Sequence, residues 1–107
     1  MQNTNYTKKV YTIQELKRLL TPVFKQYPVY KAILYGSYAR GEATPESDID
    51  IVIDSRNELK GFRFAGVMGH AEEVVNKFVQ IYEEKKLPQN SVVINGIKKD
   101  GVLLYER

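Results

Sequence analysis

Between positions 49 and 54 the chain alternates Ile49, Ile51 and Ile53 with Asp50, Val52 and Asp54. A period of two belongs to a strand whose side chains point by turns to opposite faces of a sheet. One face of this strand is aliphatic and needs cover. The other carries acids, whose mutual repulsion asks for water or a counter-charge. Such a strand belongs in a small α/β domain, and 107 residues leave room for only one, since domains run to about 100–150 residues. A second lobe would have to come from another molecule.

The neighbouring segments fill in that domain. Thr12 and Glu15 form a capping box, because hydroxyl and carboxylate each satisfy an unpaired amide of a first helical turn. Ile13, Leu16, Leu20, Val23, Phe24 and Tyr27 then recur at steps of three and four on one helix face. Pro22 lacks an amide hydrogen, which predicts a kink or restart near Thr21, and Pro28 closes the helix. Residues 29–35 are β-branched, aromatic and aliphatic up to Gly36, a buried strand running into a turn. A second helix is expected over 64–78, its start weakened by Gly61, Gly66 and Gly69 at roughly 1 kcal/mol each relative to alanine. A third strand follows at 78–82, a short helix at 91–98, a turn at Gly101 and a strand at 102–105. Residues 1–10 read as a flexible leader and 11–107 as the single domain.

Composition narrows the function classes. Hydrophobic residues make up 43% of the chain, as in a globular protein, and no apolar run approaches the ~18 residues of a membrane span. There is no cysteine, so a disulfide framework or thiolate zinc site is excluded. The polar, then basic, beginning has no apolar core behind it, and a cytoplasmic protein is expected. Net charge is +3, yet the cations are spread as singles and pairs such as Lys8-Lys9, Lys17-Arg18, Lys85-Lys86 and Lys98-Lys99. That distribution favours a solvated surface over a nucleic-acid footprint.

Two short segments carry chemistry. Gly36-Ser37 ends a strand where a helix-like turn begins. Glycine admits a phosphate close to the backbone, and amides and hydroxyl at a helix start donate to phosphate oxygens. Taken alone, Gly36 serves equally as a plain turn and Ser37 as a plain N-cap, and the GxxxxGK[ST] spacing of a P-loop is absent. Asp48 and Asp50, two residues apart, project to one face within reach of a common cation, and magnesium prefers such hard oxygen ligands. Taken alone they read first as the solvated side of a strand, to which Asp54 equally belongs. Arg40 either neutralises phosphate charge or is simply solvated. His70, beside apolar neighbours on a helix, reads as a boundary residue, and the tyrosines at 27, 30 and 35 fall at core or strand positions.

Taken together, Gly36-Ser37-Tyr38-Ala39-Arg40-Gly41 and Ser47-Asp48-Ile49-Asp50-Ile51-Val52 resemble the signature of the DNA polymerase beta-like nucleotidyltransferase superfamily. The short chain and its ending, Gly101-Val102-Leu103-Leu104-Tyr105-Glu106, resemble the minimal nucleotidyltransferases of prokaryotes, many of them antitoxins paired with a HEPN-domain toxin. The resemblance covers nearly all of the chain from Tyr30 onward. It implies a small mixed sheet with helices packed on one side. It also implies that Gly36 and Ser37 hold a nucleoside triphosphate, most simply ATP, and that Asp48 and Asp50 ligate two Mg2+ ions.

The family's third acid lies on the next strand, and in the matching segment Val79-Gln80-Ile81-Tyr82 it is replaced by Gln80. In a two-metal displacement that acid mainly serves the ion that activates the attacking hydroxyl. Glutamine is neutral and offers one carbonyl oxygen, so binding of the second ion weakens and transfer slows. Glu84 lies ~13 Å further along a regular strand and is no obvious substitute, nor is Glu83. Two functions follow from the resemblance. One is transfer of a nucleoside monophosphate to an acceptor hydroxyl, a tyrosine of a HEPN-type partner. The other is a catalytically impaired antitoxin or scaffold that binds a partner or a second copy of itself.

Overall fold

The computed structural model describes residues 5–107. Its first regular element, α1 (Ile13–Lys25), starts at the expected capping box: Thr12 Oγ1 accepts from Glu15 N–H at 3.0 Å and Glu15 Oε1 accepts from Thr12 N–H at 2.9 Å. The helix continues through Pro22 without the restart that was one of the two outcomes expected there. Pro22 lies on the exposed side, where water can take up the carbonyl its missing amide leaves free, so the cost falls on one bond. The other side buries Leu16, Leu20, Val23 and Phe24.

Strand β1 (Lys31–Tyr35) follows, then the single turn α2 (Ser37–Arg40) and strand β2 (Ile49–Asp54). Helix α3 (Phe62–Val75) crosses back over the sheet to β3 (Val79–Glu83). A 3-10 turn (Glu84–Lys86), helix α4 (Val92–Asp100) and strand β4 (Val102–Glu106) complete the chain. The sheet order is β3-β2-β1-β4. The pair β2/β3 is parallel and the pairs β1/β2 and β1/β4 are antiparallel, a mixed sheet as expected.

The alternation in β2 does what its period requires. Ile49, Ile51 and Ile53 are fully buried in one core with Ala32, Leu34, Val79 and Ile81 beneath α1 and α3. The long helices thus form the expected single layer. The short α4 adds cover on the opposite face, where a Cβ on Gly101 would come within 2.9 Å of Ile33 Cγ2 and where Ile94 and Lys98 share a cleft with Asp54. That cover sits at the Asp54 end of β2. The acid at the other end, Asp50, is only half-buried.

Among the described residues Ser55, Lys77 and Glu83 are the buried polar or charged groups. Glu83 is buried on the helix side and accepts from the Ser55 N–H at 3.1 Å and from the Ser55 hydroxyl, closing the turn after β2. Lys77, with 2% of its surface exposed, donates to the carbonyls of Thr7 at 3.1 Å and Pro45 at 2.9 Å. Through that bond and Thr7 N–H to Asn76 O (3.0 Å), part of the expected leader lies along the domain as irregular chain; residues 1–4 fall outside the described residues. Among the described residues no helix is long and apolar enough to cross a membrane.

Proline in a helix interior is roughly 3 kcal/mol worse than alanine, and its stiffening of the unfolded chain returns up to ~1 kcal/mol. Pro22→Ala therefore raises the unfolding free energy by about 1–3 kcal/mol in urea titrations. A destabilised variant would show that the free carbonyl at Arg18 is bonded in a way the exposed helix face does not suggest.

Candidate functional site

The site is built where β1 ends beside the start of β2. Tyr35 and Asp50 are register partners across β1/β2, and Asp50 and Gln80 are register partners across β2/β3. Tyr35, Asp50 and Gln80 therefore lie side by side on the face that α1 and α3 do not cover. Gly36 comes next in the chain, with φ 78° and ψ −155°, a backbone region that is essentially glycine's alone. A Cβ there would stand 2.7 Å from Asp50 Oδ2, so the carboxylate rests directly on the Gly36 backbone. The α2 turn is held by Arg40 N–H to Gly36 O (3.1 Å) and Glu42 N–H to Ser37 O (2.9 Å), and it ends on Gly41 with φ 74°.

Asp48 precedes β2 by one residue and is exposed, whereas the sequence reading put it on the strand itself. The two carboxylates nevertheless act on each other. Burial raises the Asp50 carboxyl above its ordinary value, the negative charge of Asp48 raises it further, and Arg40 opposes both. An ionised Asp50 is thus held in place at a cost that a cation would relieve. Arg40 donates to Glu42 at 2.9 Å in an exposed ion pair of the kind worth little.

Among the described residues no group of three or more His, Cys, Asp or Glu side chains could hold a metal. Gln80 occupies the β3 position in register with Asp50, from which a carboxylate would join it. Glu83 alternates to the buried side and is tied to Ser55, so it cannot substitute. Glu84 has left the strand for the 3-10 turn. The remaining donor set, two carboxylates, suits magnesium, which commonly takes one or two protein carboxylates and completes its shell with water and substrate phosphates.

Tyr35, read from the sequence only as a core or strand residue, and Tyr82 also belong here. Tyr35 and Tyr82 lie on the same face with ring centroids 6.5 Å apart, beside Asp50 and Gln80. Burial keeps the Tyr35 hydroxyl protonated far above its usual range, and Asp50 and Tyr82 add to that effect. Strand parity signals that Tyr82 shares a face with Gln80, two residues before it, but only the strand order brings it and Tyr35 to Asp50. His70 is placed on α3, with Nδ1 3.4 Å from the Tyr27 hydroxyl, as a boundary residue of the helix layer.

Residues 16–105 match the family model described as the nucleotidyltransferase domain. The chain belongs to the nucleotidyltransferase domain family. Two relatives from Methanocaldococcus jannaschii, both provisionally named protein adenylyltransferases, are each 33% identical to it. One aligns over 100 residues, covering 88% of this chain and 97% of the relative; the other over 91 residues, covering 85% and 90%. The fold is shared with solved structures of low identity. One, described as a toxin-antitoxin with AMP-PNP, superposes with a TM-score of 0.74 at 16% identity, over 85% of this chain and 73% of that one. Another, a tri-AMPylated Shewanella oneidensis HEPN toxin in complex with an MNT antitoxin, gives 0.69 at 14%, over 90% and 74%.

For this nucleotidyltransferase domain the contact between Gly36 and Asp50 sets two expectations. Gly36→Ala places a Cβ against the carboxylate on a backbone that alanine rarely adopts, and lowers stability by about 1–3 kcal/mol in thermal unfolding. Asp50→Asn does the reverse. Because the folded carboxyl titrates above its unfolded value, its ionised form destabilises the fold at pH 7, and that cost disappears as pH falls through the raised value. The Asn variant therefore melts higher than the parent at neutral pH without divalent cation, and the difference closes towards pH 3.

Proposed function

We propose that the chain binds a nucleoside triphosphate, ATP in the simplest case, together with magnesium and transfers its nucleoside monophosphate to an acceptor hydroxyl on a partner protein, releasing pyrophosphate. The observation that carries this reading is the Gly36 backbone lying against Asp50 Oδ2, which sets the glycine turn against a carboxylate whose charge is opposed by burial and by Asp48. In this reading Gly36, the Ser37 hydroxyl and the α2 amides receive the phosphates, and Arg40 adds positive charge. Asp48 and Asp50 hold magnesium, which when bound neutralises phosphate charge and favours the attacking oxygen. A HEPN-type toxin is the proposed partner, with a tyrosine as acceptor. Support comes from the names of the relatives and from the shared fold with an MNT antitoxin. An ATP-consuming reaction of this kind is assigned to the cytoplasm.

A specific observation favours a second reading. Gln80 stands in register with Asp50 where a third carboxylate would complete the metal set, so the domain is built to hold magnesium and nucleotide better than to turn them over. In that reading it is an antitoxin or scaffold that acts by binding its partner.

Labelled ATP, magnesium and the product of the adjacent gene separate the two. Under the first reading label appears on the partner, and Asp50→Asn removes more of it than the ~10–100-fold that loss of an outer-shell group costs a metal site. Under the second reading wild type leaves the partner unlabelled and Gln80→Asp gains magnesium-dependent transfer. A wild type that neither labels its partner nor binds magnesium-AMP-PNP contradicts both.

A further inference from the structure

Strand β3 closes one side of the sheet: β2 pairs with it, and among the described residues no strand lies beyond it. Its alternation decides which backbone groups point outward. Phe78 O accepts the Ile49 N–H at 3.0 Å, and Ile49 is in register with Val79, so Gln80 and Tyr82, like Phe78, turn their backbone groups towards β2. Val79, Ile81 and Glu83 turn theirs to the open edge. The first outward amide is already spent, since Val79 N–H donates to Glu72 Oε2 at 3.1 Å. The amides of Ile81 and Glu83 and the carbonyls of Val79 and Ile81 are left as a row of donors and acceptors. An extended backbone is the partner that matches such a row group for group.

The space beside that row selects a side chain. A cleft of about 410 Å3 is lined by Leu59, Phe64, Ile81 and Leu87 together with Lys60 and Lys86. Since a void of ~150 Å3 takes a benzene ring, one large apolar side chain fits. Phe62, next in the chain to the lining residue Gly61, is 96% exposed and adds aromatic surface of the kind enriched at protein interfaces. The charged side chains of the lining are Lys60, Lys86 and Glu83. The Glu83 carboxylate is taken by Ser55, whereas both lysines are exposed and belong to none of the ion pairs among the described residues. The charge left to a visitor is therefore positive.

We infer that the outer edge of β3 and this cleft form a docking surface for an extended acidic segment of another protein, which pairs with Val79, Ile81 and Glu83 as a fifth strand and seats one apolar side chain between Leu59, Phe64 and Leu87. Alternate residues of an added strand face the same side. An apolar residue with an acid two positions away in each direction therefore brings carboxylates to the side that carries Lys60 and Lys86. A second copy of this chain is a poorer occupant: its β3 offers no free acid, since Glu83 is committed to Ser55, and its Val79 amide is committed to Glu72. The inference does not rest on the nucleotide reading, because Gly36, Ser37, Arg40, Asp48 and Asp50 take no part in this surface.

The test uses the isotope-labelled full chain without nucleotide and a synthetic probe, an acetylated and amidated heptapeptide with leucine at its centre, threonine on either side, glutamate beyond each threonine and serine at both ends. Binding is followed by amide chemical shifts and hydrogen exchange. The probe is expected to bind saturably and to slow exchange at Ile81 and Glu83, while Gln80 and Tyr82, already bonded to β2, keep their rates. N-methylation of its three central amides weakens binding by about tenfold or more. Replacing both glutamates of the probe by lysine does the same, as does the double variant Lys60→Glu/Lys86→Glu, whose amide spectrum away from the cleft stays that of the parent. No saturable binding, equal affinity for the N-methylated or the lysine-bearing probe, full affinity in the double variant, or exchange slowed elsewhere than on β3 would overturn the docking surface. A chain that sediments as a dimer, with Ile81 and Glu83 protected before any probe is added, would give the edge to a second copy and overturn the acidic segment as its occupant.

Discussion

The arrangement depends on one missing atom. Because Gly36 has no Cβ, the backbone after β1 can turn at φ 78° and let Asp50 Oδ2 settle into the space a side chain would fill. Any other residue would push the carboxylate away or straighten the turn. Antiparallel pairing of Tyr35 with Asp50 brings the two strand ends together, and the glycine lets them touch. The glycine turn and the acids are thus one structural unit, joined at a single point of close packing.

The sheet then distributes the labour between its faces. On one side, Ile49, Ile51 and Ile53 anchor β2 beneath the long helices. The same strand presents Asp50 on the other side without disturbing that core, since strand parity separates the two environments. Parity also explains why positions 83 and 80 of β3 have unlike fates. Glu83 points inward and is consumed by Ser55, whereas position 80 points outward beside Asp50 and carries a neutral amide.

Much of this was legible in the sequence, and what was not has physical reasons. Local patterns found α1 through its capping box, β2 through its alternation, and α3 through its three-and-four spacing, because each signal is contained within a few residues. The sequence left open whether α1 would restart at Pro22, and it does not, because a proline on a solvent-facing helix side costs one bond and no packing. The first turn of α3, which the sequence left open because of its glycines, begins at Phe62, where Gly61 at φ 59° lets the chain turn sharply into it. Lys77 was invisible as a buried group, since the carbonyls that receive its ammonium come from positions 7 and 45. The tyrosines at 35 and 82 became neighbours of Asp50 only once strand order was known.

The partial cover on the acid-bearing face has a wider consequence. Helix α4 shields the Asp54 end of β2 and stops short of Asp50, which stays half open. A reactive centre without a roof competes poorly against bulk solvent, because excluding water both strengthens its electrostatics and suppresses wasteful hydrolysis. Under the nucleotidyl-transfer reading that roof would be supplied by a visiting surface, and chemistry would be timed by encounter.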